Sequence, residues 1–271
     1  MAKKKEGNII VVKNLVKKFD KFVAVNDLSF KVKSGEMFAF LGPNGAGKST
    51  TIKILTTLLE ATKGQIKING LDPKIQKNEV RKTFGIVFQD LSLDDDLTAY
   101  ENLEFHAVFY RVPEKLRRER IENVMKLVEL WDRKDSLVKT FSGGMKRRLE
   151  IARGLIHHPK ILFLDEPTLG LDPQTRNHLW DYMKKLNKDE GMTVFLTTHY
   201  MNEAEQIANR IAIIDHGKIV EKGTASELKK KTKTKSLEEA FLKLTGHEIR
   251  DESASEIDQL RKHAKAWGKR R

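Results

Sequence analysis

The 271-residue sequence predicts an α/β fold that combines a strand-rich beginning, a core of parallel strands and a helical insert. Three observations lead to this prediction. Short β-branched or aromatic runs separated by turn residues fill the first third of the chain, apolar runs recur later, and helical periodicity separates the two groups. The almost wholly apolar run at residues 38–41 is typical of a strand that is buried on both faces.

The individual elements follow from these patterns in chain order. Period-two or fully apolar runs predict strands at residues 9–12, 30–32, 37–41, 65–68, 85–88, 160–164, 193–197, 210–214 and 218–220. Apolar residues spaced three or four apart predict helices at residues 49–59, 97–130, 143–157, 174–187 and 201–208. Ser142 is the expected N-cap of the third helix, and a charged helix with an apolar stripe at Leu237, Ala240, Phe241 and Leu244 is expected to pack against the rest.

The composition limits the classes of function. The chain carries 51 basic and 38 acidic residues, a net charge of +13, which attracts nucleic acid, anionic lipid or nucleotide. Much of the excess lies at residues 229–235 and 269–271, and we interpret it as a solvated tail, with no specific nucleic-acid partner. The absence of cysteine excludes disulfides and thiolate metal sites.

The sequence also bears on location. It contains no run of the ~18–20 apolar residues that a membrane-spanning helix needs. The basic start has no apolar segment behind it, as a secretory signal would. We therefore expect a protein kept inside the cell, whose membrane role comes through a partner.

Residues 42–49 match the pattern G-x-x-x-x-G-K-[ST] that binds phosphate. Glycines let backbone N–H groups turn towards one point, and a following helix adds its positive end. A chance glycine turn is the alternative, but an apolar strand leads in and a helix leads out. The predicted phosphate contacts are Gly42, Pro43, Asn44, Gly45, Ala46, Gly47, Lys48, Ser49 and Thr50, with Lys48 on the β- and γ-phosphates and the Ser49 hydroxyl on Mg²⁺.

Two adjacent acids end the apolar run at residues 161–164. Asp165 and Glu166 lie where α/β sheets place ligands, at the carboxyl end of a strand. Asp165 can hold Mg²⁺ through water, and Glu166 can polarise an attacking water as a general base. A strand that simply reaches solvent would look the same in isolation. Together with the phosphate loop, the pair favours a site for nucleoside triphosphate hydrolysis.

Six elements now stand in one order along the chain: the loop at residues 42–49, Gln89, Ser142-Gly143-Gly144, Asp165-Glu166, Leu171-Asp172 and His199. Over residues 8–225 the sequence resembles the nucleotide-binding domains of ABC transporters. The resemblance implies a P-loop NTPase core with an N-terminal antiparallel β subdomain and an inserted α-helical subdomain at about residues 95–157. Residues 226–271 would form a charged helical extension.

The resemblance also implies roles for the remaining site residues. Gln89 would touch Mg²⁺ and the attacking water, completing a metal set with Ser49 and Asp165, and His199 would contact the γ-phosphate. The catalytic set is then Lys48, Gln89, Glu166 and His199. The other implied nucleotide contacts are Phe19 and Val25 on the adenine side, the signature loop Ser142, Gly143 and Gly144, and Asp172 at a dimer interface.

Partners follow from the same resemblance. One copy's phosphate loop and a second copy's signature loop would enclose ATP with Mg²⁺ in a homodimer, and hydrolysis would open it. A membrane permease subunit would hold the ATPase on the inner face of the membrane. The run Asp90–Leu103, residues 143–148 and residues 236–246 are similar to the daunorubicin-resistance branch, which exports drugs, lipids or polysaccharides. Met145 departs from the usual glutamine of the signature.

Other classes fit less well. A DNA-repair ATPase would need a long coiled coil where only about ninety residues separate loop and signature, and a translation factor would carry two such domains. A non-catalytic binder would be expected to lack Lys48 or Glu166. A scaffold ATPase for iron–sulfur assembly remains open as a role without transport.

Overall fold

The computed structural model describes residues 7–246 and begins with a small antiparallel sheet. Its strands are β1 (Asn8–Phe19), β2 (Phe22–Lys33) and β4 (Lys63–Ile68), in the order β2-β1-β4. Both pairings are antiparallel. In β2 the apolar positions Leu28, Phe30 and Val32 alternate with exposed ones, so that one face of the sheet is buried. The predicted antiparallel subdomain is confirmed.

The main sheet has six strands, and its core is parallel. The strands are β3 (Met37–Leu41), β5 (Phe84–Val87), β6 (Ile161–Asp165), β7 (Thr193–Thr198), β8 (Arg210–Asp215) and β9 (Lys218–Gly223). They lie in the order β5-β6-β7-β3-β8-β9, and only the pair β8 and β9 is antiparallel. Every residue of β3, β6 and β7 is buried, as expected for parallel strands covered on both faces.

Helices cover this sheet and fill the interval between β5 and β6. They are α1 (Lys48–Leu55), α2 (Lys77–Arg81), α3 (Ala99–Phe109), α4 (Glu114–Leu127), α5 (Gly143–Leu155), α6 (Pro173–Glu190), α7 (Met201–Ile207), α8 (Ala225–Thr232) and α9 (Leu237–Thr245). The helices α3, α4 and α5 fall in the interval where the insert is expected. The limits of the insert and of the C-terminal extension stay predictions.

Two predicted helices differ from those observed. The periodic stretch 97–130 is two helices, because Arg111 adopts a left-handed conformation with φ of 55° and Pro113 starts the second one. The first predicted helix stops at Leu55 rather than residue 59, since Thr57 also has positive φ at 63°. Ser142 caps α5 as expected, accepting a hydrogen bond from the Met145 amide at 3.2 Å.

The apolar stripe of α9 packs inward, which confirms its predicted role. Leu237, Ala240 and Phe241 are buried, and Leu244 packs at the margin of the core. The closing basic residues 269–271 lie outside the described part of the chain.

The order of the parallel strands brings four chain segments to one edge of the sheet. The carboxyl ends of β5, β6, β7 and β3 are neighbours in space. They lead respectively to Gln89, to Glu166, to His199 and to the glycine-rich loop that starts at Gly42. In such sheets, ligands bind in the crevice outside the carboxyl ends of the strands. The fold therefore assembles the predicted site from segments that are far apart in sequence.

Aromatic rings from both sheets form the centre of the core. Phe195 lies 5.5 Å from the ring of Phe38 and 5.0 Å from that of Phe40, between ring centroids. Its neighbours Phe30 and Phe163 lie 6.0 and 5.5 Å away. Phe195 thus joins the antiparallel sheet, through Phe30, to the central strands of the parallel sheet.

We expect Phe195→Ala to lower the free energy of unfolding by about 3–5 kcal/mol, because it removes a fully buried ring and leaves a cavity. Phe22→Ala is the matched control, since that ring is 63 % exposed, and should change the free energy by less than about 0.5 kcal/mol. Equilibrium denaturation in urea measures both. Equal losses for the two variants would contradict this account of the core.

Candidate active site

The phosphate loop connects β3 to α1, and two of its glycines are sterically required. Gly47 has φ of 96°, and a Cβ atom there would lie 2.5 Å from the carbonyl oxygen of Ala24. A Cβ at Gly42 would lie 2.2 Å from the Ile214 carbonyl oxygen. The loop can therefore curl tightly against β2 and β8 only with glycine at these positions. The first turn of α1 carries no acidic residue, so its positive end is available to phosphate.

Lys48 holds its ammonium group at the centre of this loop. The Nζ atom donates hydrogen bonds to the carbonyl oxygens of Gly42 at 2.8 Å and Pro43 at 3.1 Å. It also lies 3.1 Å from Oε1 of Glu166. Burial lowers the pKa of Lys48, and the Glu166 carboxylate opposes that shift. The predicted phosphate ligand and the predicted general base are thus in direct contact.

The Asp165 carboxylate accepts hydrogen bonds from two hydroxyl groups. Its Oδ1 atom accepts hydrogen bonds from the hydroxyls of Thr197 at 2.6 Å and Ser49 at 3.1 Å. Burial raises the pKa of Asp165, while these two hydrogen bonds pull it down. The Thr197 hydroxyl also accepts from the Glu166 amide at 3.0 Å, so one side chain of β7 orients both acids.

The residues around Asp165 fit a magnesium ion. A carboxylate and a serine hydroxyl within 3.1 Å of each other are hard oxygen donors, as Mg²⁺ prefers, and nucleotide phosphates would complete the coordination. Within residues 7–246 no group of three or more His, Cys, Asp or Glu side chains could hold a metal, so an all-protein cage is not offered there. Gln89 is exposed, and no hydrogen bond within these residues joins its side chain to Ser49 or Asp165.

Glu166 lies between two basic groups in a strained conformation. Its φ of 46° is left-handed, although it is not glycine. Oε1 faces Lys48, and Oε2 lies 3.2 Å from Nδ1 of His199. Burial favours the neutral acid, but His199 and Lys48 outweigh it and lower the pKa of Glu166 to about 2. The group is therefore a carboxylate at any physiological pH, able to orient a water molecule.

A buried network supports the segment that carries His199. Glu203 in α7 accepts hydrogen bonds from Thr168 at 2.7 and 2.9 Å and from Thr198 at 3.2 Å. Burial raises the pKa of Glu203, while Thr168 and the Arg176 guanidinium, 3.3 Å away, lower it. The network ties the residue before His199 to the segment after Glu166. Sequence reasoning missed Glu203, Thr168 and Arg176, and polar residues flanking the His199 and Glu166 motifs were the only signal.

The signature loop and Asp172 lie side by side. A Cβ at Gly144 would come within 2.8 Å of the Thr175 side chain, in the first turn of α6. Asp172 caps that turn: the Thr175 hydroxyl donates to its carboxylate at 2.6 Å and the Thr175 amide at 2.9 Å, and these two hydrogen bonds lower the pKa of Asp172. Ser142 and Gly143 are exposed, and no acid lies in the first turn of α5. The two motifs together form an open surface with a positive helix end.

Met145 fills a different role from the hydrogen-bonding glutamine that it replaces. It is half-buried and packs against the apolar core. The neighbouring Lys146 pairs with Asp95 at 2.7 Å.

The adenine side agrees with the sequence only in part. The Phe19 ring is 43 % exposed at the end of β1, and the Lys17 ammonium lies 4.9 Å from its centroid. A base could stack on this ring. Val25, in contrast, is fully buried in the core, so the prediction that it contacts the nucleotide is not supported. A register irregularity between Leu28 and Val25, where Asp27 has a positive φ of 60°, shifts the alternation of β2 and turns the Val25 side chain inward.

Comparisons with known proteins show which family this chain is similar to. Residues 25–169 match the family model described as "ABC transporter". The daunorubicin/doxorubicin resistance ATP-binding protein DrrA of Streptomyces peucetius is 42% identical over 91% of this chain and 73% of its own length.

Solved structures agree as well. One described as the ATP binding subunit of an ABC transporter superposes with a TM-score of 0.79 at 32% identity, covering 87% of this chain and 99% of the other. A dimeric post-hydrolysis state of the ATP-binding cassette MJ0796, bound to ADP and Pi, superposes with a TM-score of 0.72 at 31% identity, covering 79% and 98%.

The two neighbouring acids should affect stability with opposite signs. The folded pKa of Glu166 lies below its ordinary value of about 4.3, so its ionisation stabilises the fold above that pH, and this contribution is lost as the pH falls towards 2. Glu166→Gln should therefore reduce the slope of unfolding free energy against pH in this range, by up to about 1.4 kcal/mol per pH unit.

For Asp165 the pKa is raised, so its ionised form costs stability once the pH exceeds the ordinary value. Asp165→Asn should accordingly make the metal-free, nucleotide-free protein more stable than the wild type at pH 7. Urea denaturation across a pH series, with chelator present, measures both variants. A stability loss at pH 7 for Asp165→Asn would contradict the assignment.

Proposed function

Because this chain belongs to the ABC transporter family and is an ATPase of that family, we propose that it drives export through a separate membrane subunit by closing and opening as a dimer. The observation that carries the proposal is the contact of Lys48, Glu166 and His199 at the carboxyl ends of three neighbouring strands. Phosphoryl transfer to water requires a cation that binds phosphate, a carboxylate that orients water and a group that contacts the transferred phosphate, and these three side chains supply them.

The catalytic roles follow from these contacts. When a triphosphate enters the loop, Lys48 can exchange its bonds to the Gly42 and Pro43 carbonyls for phosphate oxygens. This movement draws a cation away from Glu166 and brings the pKa of that carboxylate closer to its ordinary value. Glu166 can then orient and deprotonate water more effectively, while His199 faces the transferred group.

We propose that Ser49, Asp165 and Gln89 hold the Mg²⁺ that accompanies ATP. Ser49 and Asp165 are already joined by a hydrogen bond, whereas Gln89 would need to turn inward from its exposed position. When bound, the ion would neutralise charge on the β- and γ-phosphates.

A second copy of the chain would complete the site. The exposed turn of Ser142, Gly143 and Gly144 offers a hydroxyl, backbone amides and a positive helix end, all suited to a γ-phosphate. Asp172 lies beside this turn and would meet the partner at the same interface. The dimeric MJ0796 cassette supports this arrangement. Phosphate between the copies would hold them together, and its release would let them separate.

A membrane subunit would dock on the helical insert. In α3 the apolar side chains of Phe105, Val108 and Phe109 are 55%, 47% and 82% exposed, and Leu91 in the loop after β5 is 45% exposed. Exposed apolar groups of this size indicate an interaction surface. Among residues 7–246 no helix combines the length and apolarity needed to cross a bilayer. We propose that this surface attaches the ATPase to the inner face of the membrane.

Drugs are the cargo class that the comparisons favour, because the relative from Streptomyces peucetius is described as a daunorubicin/doxorubicin resistance protein. Lipids and polysaccharides are the other cargoes of the branch. A scaffold ATPase for iron–sulfur assembly is the second candidate, and it would need no membrane partner. The exposed apolar face of α3 favours the transport role.

Glu166→Gln should reduce ATP turnover by at least about 100-fold, because it removes the general base and leaves the phosphate loop intact. It should also trap an ATP-bound dimer. Phosphate release and size-exclusion chromatography with Mg-ATP measure the two effects, with the exposed Glu119→Gln as the control. Unchanged turnover in Glu166→Gln would remove this residue from its role.

Phe109→Ser should weaken attachment to the membrane subunit and leave ATP turnover of the isolated ATPase unchanged, because the ring is exposed and distant from the phosphate loop along the chain. Co-purification of a membrane-embedded protein from native membranes, followed by transport in resealed vesicles, measures the effect. Full transport by a Phe105→Ser/Phe109→Ser double variant would exclude α3 as the docking surface.

A further inference from the structure

A row of polar residues along α5 binds the loop that carries Gln89. Arg147, Glu150 and Arg153 are spaced three apart, so they share one face of the helix. That face does not point to solvent: Arg147 is 3% exposed and Glu150 is 1% exposed. Arg153 is half-buried, and buried charged side chains such as Arg147 and Glu150 require specific partners.

Arg147 binds three carbonyl groups of two catalytic segments. Its Nη1 atom donates a short hydrogen bond to the carbonyl oxygen of Phe88. Its Nη2 atom donates to the carbonyl oxygen of Gln89 at 3.2 Å and to that of Glu166 at 3.3 Å. The guanidinium therefore bridges the residue that would touch Mg²⁺ and the residue that would activate water. Only the planar fork of arginine presents donors in this arrangement.

The far end of the same loop is bound by the other two members of the row. The Glu150 carboxylate accepts hydrogen bonds from the Ser92 amide at 2.6 Å and from Arg153 at 2.7 Å. Arg153 donates to the Ser92 carbonyl oxygen at 2.7 Å. Residues 88–92 are thus attached at both ends to the helix whose first turn carries Ser142 and Gly143.

The backbone conformation of Glu166 depends on hydrogen bonds from its surroundings, including the one from Arg147. Its φ of 46° is maintained by the surrounding structure, since a non-glycine residue is disfavoured there. Thr197 holds its amide, and Arg147 holds its carbonyl oxygen. The two bonds fix the peptide planes before and after Glu166, and with them the direction in which its side chain leaves the backbone. Arg147 is therefore the side chain that connects α5 and residues 88–92 to the Glu166 backbone.

We propose that Arg147 is a positioning residue for ATP hydrolysis, through which movement of the Gln89 loop and of α5 reaches the Glu166 carboxylate. It acts through the backbone carbonyls of Gln89 and Glu166. A membrane subunit that displaces residues 88–92 would thereby change the geometry of the general base. This inference rests on the ATPase activity proposed above.

The test is steady-state ATP turnover by the purified full chain carrying Arg147→Met. This substitution keeps the length of the side chain and removes every donor. The expected result is a fall in kcat of at least about tenfold with the KM for ATP within about twofold of wild type, because the phosphate loop is not touched. Arg148→Met is the matched control: that arginine lies on the same helix and binds the Val128 carbonyl, away from the site, so kcat should stay within about twofold.

A double-variant cycle distinguishes positioning from general damage. If Arg147 acts through the Glu166 carboxylate, then adding Arg147→Met to Glu166→Gln should lower the residual kcat by less than Arg147→Met lowers kcat in the wild type. Fully multiplicative losses would overturn the proposal, as would a KM or nucleotide affinity that worsens in step with kcat.

If Arg147→Met does not fold, kcat is measured for Arg147→Lys instead. Lysine retains the buried charge but cannot bridge three carbonyls, so the variant should melt near the wild-type temperature and still show reduced kcat. Wild-type kcat in Arg147→Lys would overturn the proposal. Wild-type protein that hydrolyses no ATP would instead refute the proposed function, so the two failures are distinguishable.

Discussion

The Glu166 carboxylate held between Lys48 and His199 is the interaction on which the rest of the site depends. Without the two basic groups, burial would raise the pKa of the Glu166 carboxyl instead of leaving it lowered. Both partners arrive from other strands, β3 and β7, that flank one another in the sheet. The pair of Lys48 and Glu166 is stabilised in this position because the Gly42 and Pro43 carbonyl oxygens accept hydrogen bonds from the ammonium group and His199 lies beside the second carboxylate oxygen.

Two separate sets of hydrogen bonds, each a route from the surrounding structure to the site of Glu166 and His199, maintain this arrangement. On one side Thr197 holds Asp165 and the Glu166 amide, and Glu203 holds Thr198 beside His199. On the other, Arg147 connects the Glu166 carbonyl to the loop of Gln89. The first route is rigid and buried in the sheet. The second runs through α5, whose exposed first turn would meet a partner chain, so it is the one that conformational change can use.

Much of the fold could be predicted because the relevant signals are local. Apolar runs marked β3, β6 and β7, and Ser142 marked the start of α5. Errors occurred where backbone conformation departed from periodicity, as at Arg111 and Thr57, whose positive φ values divide or shorten helices. At Thr57 side-chain chemistry gave no warning, because no glycine or proline lies nearby, whereas Pro113 was a local signal of the break after Arg111.

By itself the sequence determined the chemical parts of this protein: a glycine-rich phosphate loop, a pair of acids after a buried strand, and a capped signature helix. These are short patterns whose physics acts within a few residues. Only the tertiary structure decided which parts meet. Ser49 and Asp165 are 116 positions apart, and Arg147 on α5 contacts Glu166 after β6, while Val25 turns into the core. Such contacts depend on strand order and register, which arise from packing of the whole chain rather than from any local pattern.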